Sequence, residues 1–248
     1  MNAESKGQAV IAAAQSSSVK GDLSGNVRRH CDFVRRAAEH NVELIVFPEL
    51  SLTGYEPSVT AELATDLHDA HWEPLKSLAD ESGMTIVAGC PITSGERRPY
   101  IGEVIFGPAG NTVYRKRFVH GTEDEHFVAS DDVVVVSSRN CQAAMAICAD
   151  IENAQHPRDA LRPGVDVYAA GVAITKNGIA RAEASMLRYA REYGVTCLLA
   201  NYASDTGGFD IAGRSGIWDA SGAVVQAEGT GECLVIAGPD GGCIVGMG

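Results

Sequence analysis

The sequence is short of basic residues and has no long apolar run, and each absence excludes a class of partner. Its 248 residues include 20 Lys and Arg against 32 Asp and Glu, a net charge of −12. Because this field repels polyanions, neither nucleic acid nor an anionic membrane is an expected partner. The apolar run at 9–14 is too short for a secretory signal or a membrane span. We therefore expect a soluble, cytoplasmic protein.

Several catalytic motifs are also missing. The sequence contains no G-x-S-x-G nucleophile elbow, no G-x-x-x-x-G-K-[ST] phosphate loop and no H-E-x-x-H zinc motif. Its seven histidines are not spaced as metal ligands are, so we expect neither a metal nor another cofactor. The seven cysteines are odd in number and none belongs to a C-x-x-C pair, which favours free thiols in a reducing compartment.

Strand and helix signals alternate in two similar halves. The first half has a strand at 10–15, an amphipathic helix that Asn26 is expected to cap, a strand at 43–47 and a hairpin at 103–114. The second half repeats this order, with a short helix at 157–161, a strand at 165–170, a helix at 179–193, a strand at 196–200 and a hairpin at 216–226. Such units predict a single α/β domain over 1–248 with parallel strands and an internal pseudo-repeat.

The remaining segments fill in this domain. A helical stretch is expected over about 61–81, with Pro74 starting a second helix or kinking the first. Further strands are expected at 84–90, 133–136 and 233–237. The glycine-rich end, 238–248, is expected to be a loosely held tail.

Three predicted strands end at reactive side chains. Glu49 follows the strand at 43–47, Lys116 follows the first hairpin, and Cys148 ends the apolar run Ala143–Ile147. Taken singly, such residues are usually a turn glutamate, a solvated lysine and an inert core cysteine. Because carboxyl ends of strands converge on one crevice, the three together predict a site.

The chemistry of these three residues is coherent. A thiol becomes a strong nucleophile once a base removes its proton, and Glu49 is available as that base for Cys148. The same glutamate can return the proton to a leaving amine. The ammonium of Lys116 and the backbone N–H of Ala149 can stabilise an oxyanion. The set predicts acyl transfer through a thioester, followed by hydrolysis.

Three segments around these residues resemble the signature motifs of the nitrilase superfamily, the carbon–nitrogen hydrolases. They are Phe47-Pro48-Glu49-Leu50-Ser51-Leu52-Thr53-Gly54-Tyr55, Tyr114-Arg115-Lys116-Arg117 and Ile147-Cys148-Ala149-Asp150. The resemblance implies a four-layer α-β-β-α sandwich that usually forms homodimers or larger homo-oligomers. It implies a triad of Glu49 as base, Lys116 as oxyanion stabiliser and Cys148 as nucleophile.

The resemblance also implies a second glutamate shortly after the lysine. Glu123 occupies that position, and Glu125 is the competing candidate. The chain departs from the family pattern at Ala149, where members commonly carry an aromatic residue, and this leaves a roomier pocket. Asp150 is closer to the amidase branches than to true nitrilases, which favour glutamate there.

The expected reaction is hydrolysis of a non-peptide C–N bond in a small-molecule amide. N-carbamoyl amines and nitriles are alternative substrates for the same triad. Two alternative functions do not involve hydrolysis. The chain could be a non-catalytic binding protein with a nitrilase-like fold, or a thiol redox sensor at Cys148. The residues expected to line the pocket are those near strand ends, namely Tyr55, Ala149, Val172, Ala173 and Asn201.

Overall fold

The computed structural model of the protein describes residues 8–57 and 62–247. Its strands are, in chain order, β1 (Ile11–Gln15), β2 (Leu44–Val46), β3 (Thr85–Ile92), β4 (Tyr100–Phe106), β5 (Thr112–Arg115), β6 (Val135–Ser137), β7 (Gln142–Ile147), β8 (Val167–Gly171), β9 (Thr196–Ala200), β10 (Gly216–Asp219), β11 (Gly222–Gln226), β12 (Cys233–Gly238) and β13 (Gly241–Gly246). The α-helices are α1 (Leu23–Ala38), α2 (Glu73–Ser82), α3 (Gln155–Ala160) and α4 (Ile179–Tyr193).

The strands form two sheets with related topology. The first runs β13-β12-β1-β2-β3-β4-β5 and the second runs β11-β10-β9-β8-β7-β6. Each sheet has three parallel strands, β1 to β3 and β7 to β9, followed by an antiparallel hairpin. Each also has an antiparallel strand before its parallel set, β12 beside β1 and β6 beside β7. The predicted pseudo-repeat is therefore present.

Alternating side chains divide the interior into three apolar layers. In β7, Ala143, Met145 and Ile147 pack between the sheets, whereas Ala144 and Ala146 pack towards α4. This division follows from the two-residue period of a strand, which sends successive side chains to opposite faces. The other sheet packs its outer face against α1 and α2. The result is the expected four-layer α-β-β-α sandwich.

The prediction that Asn26 caps α1 is wrong. Asp22 is the N-cap, and its carboxylate accepts a hydrogen bond from Gly25 N–H at 2.9 Å. Asn26 lies one turn inside the helix and is buried, with its amide donating to the carbonyls of Val19 and Leu52. Both residue types favour caps, and the earlier aspartate takes that place.

The predicted helix over 61–81 is much shorter in the structure. A 3-10 turn at Ala70–Trp72 leads into α2, with Pro74 in the first turn, where its missing N–H costs nothing. Residues 62–69 are not helical. They form turns on either side of Thr65, which makes an isolated β-bridge to Ile92 at the end of β3. Ala61 lies outside the described residues.

The predicted loose tail at 238–248 also differs from the structure. Residues Gly241–Gly246 form β13, which pairs antiparallel with β12 over its whole length. Pro239 and Asp240 form the turn between the two strands, and Gly241 directly after it has a φ of 102°. Across residues 8–57 and 62–247, no helix is long and apolar enough to cross a membrane.

Candidate active site

The three predicted site residues meet where the two sheets face each other. Glu49 follows β2, Lys116 follows β5 and Cys148 follows β7. Lys116 Nζ donates to Glu49 Oε1 at 2.7 Å. It also donates to Glu123, at 2.7 Å to Oε1 and 2.9 Å to Oε2. Among these four residues Cys148 is the one that is partly exposed, and the other three are buried.

The backbone at the site is held in an unusual conformation. Cys148 has a φ of 42° and Leu50, directly after Glu49, has a φ of 53°. Positive φ is uncommon for residues other than glycine and costs about 1–3 kcal/mol each. Cys148 also begins a 3-10 helix, Cys148–Ile151, immediately after β7. This sharp turn presents the thiol at the end of the strand instead of burying it within the sheet.

The pKa values of Glu49 and Cys148 keep the proton on the thiol in the resting site. Burial raises the pKa of Glu49 to about 7, against the opposing effect of Lys116. The neighbouring Cys148 thiol acts in the same direction as Lys116 and lowers this pKa. Burial, followed by the charge of Glu49, raises the pKa of Cys148 well above its ordinary value. The resting cysteine is therefore a neutral thiol beside a base whose pKa lies near neutrality.

Lys116 keeps its charge in this buried setting. Burial opposes the ammonium, but Glu49, Cys148 and Glu123 outweigh it and raise the pKa of Lys116 above its ordinary value. Glu123 responds in the opposite sense: burial opposes its charge, but Lys116 outweighs burial and lowers the pKa of this carboxyl. The site therefore holds a fixed positive charge next to the thiol, with Glu123 as its permanent counter-ion.

Glu123 and not Glu125 is the second glutamate of the site. Glu123 is buried, and besides Lys116 it accepts the Tyr55 O–H at 2.7 Å and the His120 N–H at 3.1 Å. Glu125 lies two residues further on the same 3-10 turn, Gly121–Glu125, and is exposed. Tyr55, one of the predicted pocket residues, thus lies against the charged centre.

The other predicted pocket residues divide into two groups. Ala149 is buried directly after Cys148, and the Ala173 backbone lies close enough to Cys148 to act on the pKa of its thiol, which it lowers. The Val172 side chain packs in the layer between the second sheet and α4, against which Cys148 also packs. Asn201 has its amide engaged with Ile174 N and O and with Gly213 O, so it ties two loops together. The Asn201 amide is therefore engaged within its own loops.

Asp150 joins the lysine segment to the cysteine turn. Its Oδ1 accepts the N–H groups of Arg117 and Phe118 at 3.1 and 3.0 Å. Its Oδ2 accepts the Ile147 N–H at 2.8 Å and the Tyr114 O–H at 2.6 Å. One buried carboxylate therefore fixes the residues after Lys116 and the residue before Cys148 in a single position.

A histidine and a second tyrosine extend this network behind the site. Both ring nitrogens of His156 are hydrogen-bonded: Nε2 lies 2.8 Å from Tyr114 Oη, and Nδ1 lies 2.8 Å from Tyr168 Oη. Burial lowers the pKa of His156, so the ring is neutral at physiological pH. Sequence reasoning did not single out His156, because its only signal is a polar residue inside an otherwise unremarkable loop.

Glu103 is a buried carboxyl that sequence reasoning also missed. It lies on β4 among residues that face the second sheet, and neither carboxyl oxygen has a hydrogen-bond partner within the described residues. Burial raises its pKa well above the ordinary value, and Asp150 and Glu49 act in the same direction. A Cβ at the nearby Gly171 would lie 2.6 Å from Phe47 O and 2.9 Å from Glu103 Oε1, so only glycine fits there.

Comparisons with known proteins agree with this geometry. The family model for carbon–nitrogen hydrolase matches residues 10–240. A glutamine-dependent NAD(+) synthetase of Thermotoga maritima is 28% identical over 87% of this chain, which spans only 39% of that protein's length. The omega-amidase NIT2 of Homo sapiens is 24% identical, over 91% of this chain and 86% of its own.

A solved structure establishes the fold independently. An amidase from Nesterenkonia sp. AN1, in complex with butyramide, superposes with a TM-score of 0.83 at 23% identity, covering 93% of this chain and 90% of its own. Another structure of that amidase shows covalent addition of the acetamide moiety of fluoroacetamide at its active site cysteine. No cluster of three or more His, Cys, Asp or Glu in 8–57 and 62–247 is arranged to hold a metal ion.

Proposed function

The chain belongs to the carbon–nitrogen hydrolase family, and we propose that it hydrolyses a small-molecule amide through a thioester on Cys148. The observation that supports this most strongly is the placement of Lys116 between Glu49 and Glu123, beside Cys148 in a strained turn. A binding role alone would not need a base, a fixed cation and a nucleophile within one hydrogen-bonded group.

The first half of the reaction forms the acyl-enzyme. Glu49 takes the thiol proton as the Cys148 sulfur attacks the carbonyl carbon, and the carbonyl electrons move to oxygen. The Lys116 ammonium and the Ala149 N–H stabilise that oxyanion. When the intermediate collapses, the C–N bond breaks and the protonated Glu49 gives its proton to the leaving nitrogen. Ammonia or an amine departs, and the acyl group stays on sulfur.

The second half restores the enzyme. Glu49 accepts a proton from water as the water oxygen attacks the thioester carbonyl, and the same two donors hold the oxyanion. The C–S bond then breaks, the sulfur recovers a proton from Glu49, and the carboxylic acid leaves. The pKa of Glu49, raised to about 7, suits a group that must both take and return protons at neutral pH.

The test is release of ammonia from a panel of small primary amides, with nitriles and N-carbamoyl amines included as alternative substrates. We expect amide turnover, and we expect Cys148→Ala to abolish it. Cys243→Ala is the matched control, because it removes the exposed cysteine on β13. Failure of the whole panel, with Cys148 unreactive towards iodoacetamide, would overturn the proposal. A reversible Cys148 disulfide or sulfenate without hydrolysis would favour the redox reading instead.

Assembly and location remain proposals that come from the sequence. The family resemblance favours a homodimer or larger homo-oligomer, and the odd number of cysteines without a C-x-x-C pair favours a reducing, cytoplasmic compartment. Analytical ultracentrifugation of the purified chain measures the oligomeric state, and a monomer at micromolar concentration would contradict the proposed homo-oligomer.

A further inference from the structure

Phe209 is the one aromatic side chain of residues 8–57 and 62–247 that is exposed, with 42% of its surface accessible. Its ring contacts Tyr55 edge-on, with centroids 5.7 Å apart and planes at 67°. Edge-to-face pairs of this kind are favourable, so the contact fixes the orientation of both rings. The exposed ring therefore adjoins a residue of the candidate active site.

The turn that carries Phe209 is fastened to the Tyr55 segment. Thr206 Oγ1 accepts the Tyr55 N–H at 3.1 Å, and the Gly207 N–H donates to Glu56 Oε1 at 3.0 Å. Gly207 has a φ of 57°, and a Cβ there would lie 2.1 Å from Tyr55 O. Because the backbone approaches this closely, Phe209 is held in place before any ligand binds.

Tyr55 connects this turn to the reacting groups. Its hydroxyl donates to Glu123 at 2.7 Å, and Glu123 holds the Lys116 ammonium. The side chains of Glu49, Lys116 and Glu123 are buried, so the acyl chain of a bound amide extends away from them. Tyr55 is buried against this charged group, and its ring contact with Phe209 extends to the protein surface.

Two candidate cations for a carboxylate substrate already face carboxylates. Lys176 Nζ is paired with Asp210 at 2.7 Å, and Arg181 on α4 with Glu152 at 2.6 Å. An anionic acyl chain would compete with these carboxylates and would lie against aromatic rings. An uncharged chain would bury apolar surface on the same rings at no such cost.

We infer that Phe209 is a specificity-determining residue, and that with Tyr55 it receives the acyl chain of an uncharged aliphatic or aromatic amide. This inference rests on the proposed amide hydrolysis and names its substrate class. The roomy position at Ala149 is consistent with an acyl group larger than acetyl.

The test compares acetamide, butyramide, hexanamide, phenylacetamide and the charged succinamate. In the wild type we expect kcat/KM to rise with the length of the neutral chain and to be lowest for succinamate. Phe209→Ala should lower kcat/KM for hexanamide and phenylacetamide by about tenfold, through a higher KM, and leave acetamide within about twofold. Phe209→Leu should keep the wild-type order of substrates.

Ile244→Ala is the matched control, because this residue on β13 is similarly exposed, at 47%, and should leave every substrate unchanged. An equal loss for all amides in Phe209→Ala, no dependence on chain length, or a preference for succinamate over neutral amides would overturn the role of Phe209. None of those outcomes would contradict the proposed amide hydrolysis itself. Absence of turnover on every amide, with Cys148 unlabelled by iodoacetamide, overturns the proposed function and this inference together.

Discussion

Lys116 Nζ lies 2.7 Å from Glu49 Oε1, and neither side chain is accessible to solvent. A buried ion pair repays the cost of desolvation only when further hydrogen bonds complete it, and Glu123 supplies them from the other side. The single cation is thus shared by two carboxylates of unequal pKa. Glu123 stays ionised, which leaves Glu49 free to gain and lose a proton.

The roles of Glu49 and Cys148 are separable in Glu49→Gln. The amide cannot accept the thiol proton or protonate the leaving nitrogen, so we expect amide turnover to fall by about 10²–10⁴-fold. Cys148 should still be alkylated by iodoacetamide, because the charge of Glu49 raises the pKa of the thiol and that of Lys116 lowers it. Peptide mapping after labelling measures the alkylation of Cys148. Loss of both turnover and alkylation would show that Glu49 holds the site together instead of acting as a base.

The pH dependence of kcat/KM should follow the ionisation of Glu49. Its carboxylate must be deprotonated in the free enzyme, and its pKa is raised to about 7. We therefore expect activity to be low at pH 5, to rise about tenfold per pH unit, and to level off above pH 7. A profile already flat between pH 5 and 7 would mean that the base has an ordinary carboxyl pKa.

Asp150 should matter for both activity and stability. Asp150→Asn places an amide N–H₂ against N–H or O–H donors, and each donor left unpaired in the interior costs about 1–3 kcal/mol. We expect the free energy of unfolding to fall by about 2–4 kcal/mol in urea titrations, and kcat to fall because the Lys116 and Cys148 segments separate. Asp159→Asn is the control: it alters the partly exposed pair with Arg117 and an exposed hydrogen bond from Gln155, and should leave the stability nearly unchanged. Equal effects of the two substitutions would contradict the linking role of Asp150.

Glu103 should make the protein less stable as pH rises. Its folded-state pKa is well above the ordinary value, so the native state keeps a proton that the unfolded chain releases. Stability attributable to this group is therefore complete below the unfolded-state pKa and declines at higher pH, by up to about 1.4 kcal/mol per unit. Glu103→Gln removes this slope, so its stability relative to wild type should increase steadily from pH 4.5 to pH 8. A constant difference across that range would show that Glu103 is ionised in the native protein.

The sequence allowed the fold and the candidate site to be predicted for a common physical reason. Glu49, Lys116 and Cys148 each follow an apolar run that forms a strand, and the two facing sheets bring the residues after β2, β5 and β7 together. Glu123 followed from the motif resemblance, and its burial distinguishes it from Glu125. These features are local in sequence or repeat with a fixed period.

What could not be predicted depends on side-chain direction and long-range contact. Val172 and Asn201 stand next to strand ends, but one points into the helix-facing layer and the other into its own loop network. The bridge from Thr65 to Ile92 joins separate segments, and β13 is formed by a glycine-rich stretch whose composition does not indicate a strand. Glu103 contradicts the rule that buried carboxyls are paired, so no pattern would have placed it in the interior.

The covalent intermediate is the most direct test of the proposed function. Wild-type protein is mixed with butyramide or hexanamide, quenched in acid within the first turnovers, digested and analysed by mass spectrometry, with hydroxylamine added in parallel to trap a thioester as the hydroxamic acid. We predict an acyl group on the peptide that contains Cys148, a matching hydroxamate, and neither product with Cys148→Ala. Ammonia release that persists in Cys148→Ala, or hydrolysis with neither adduct nor hydroxamate, would contradict the account.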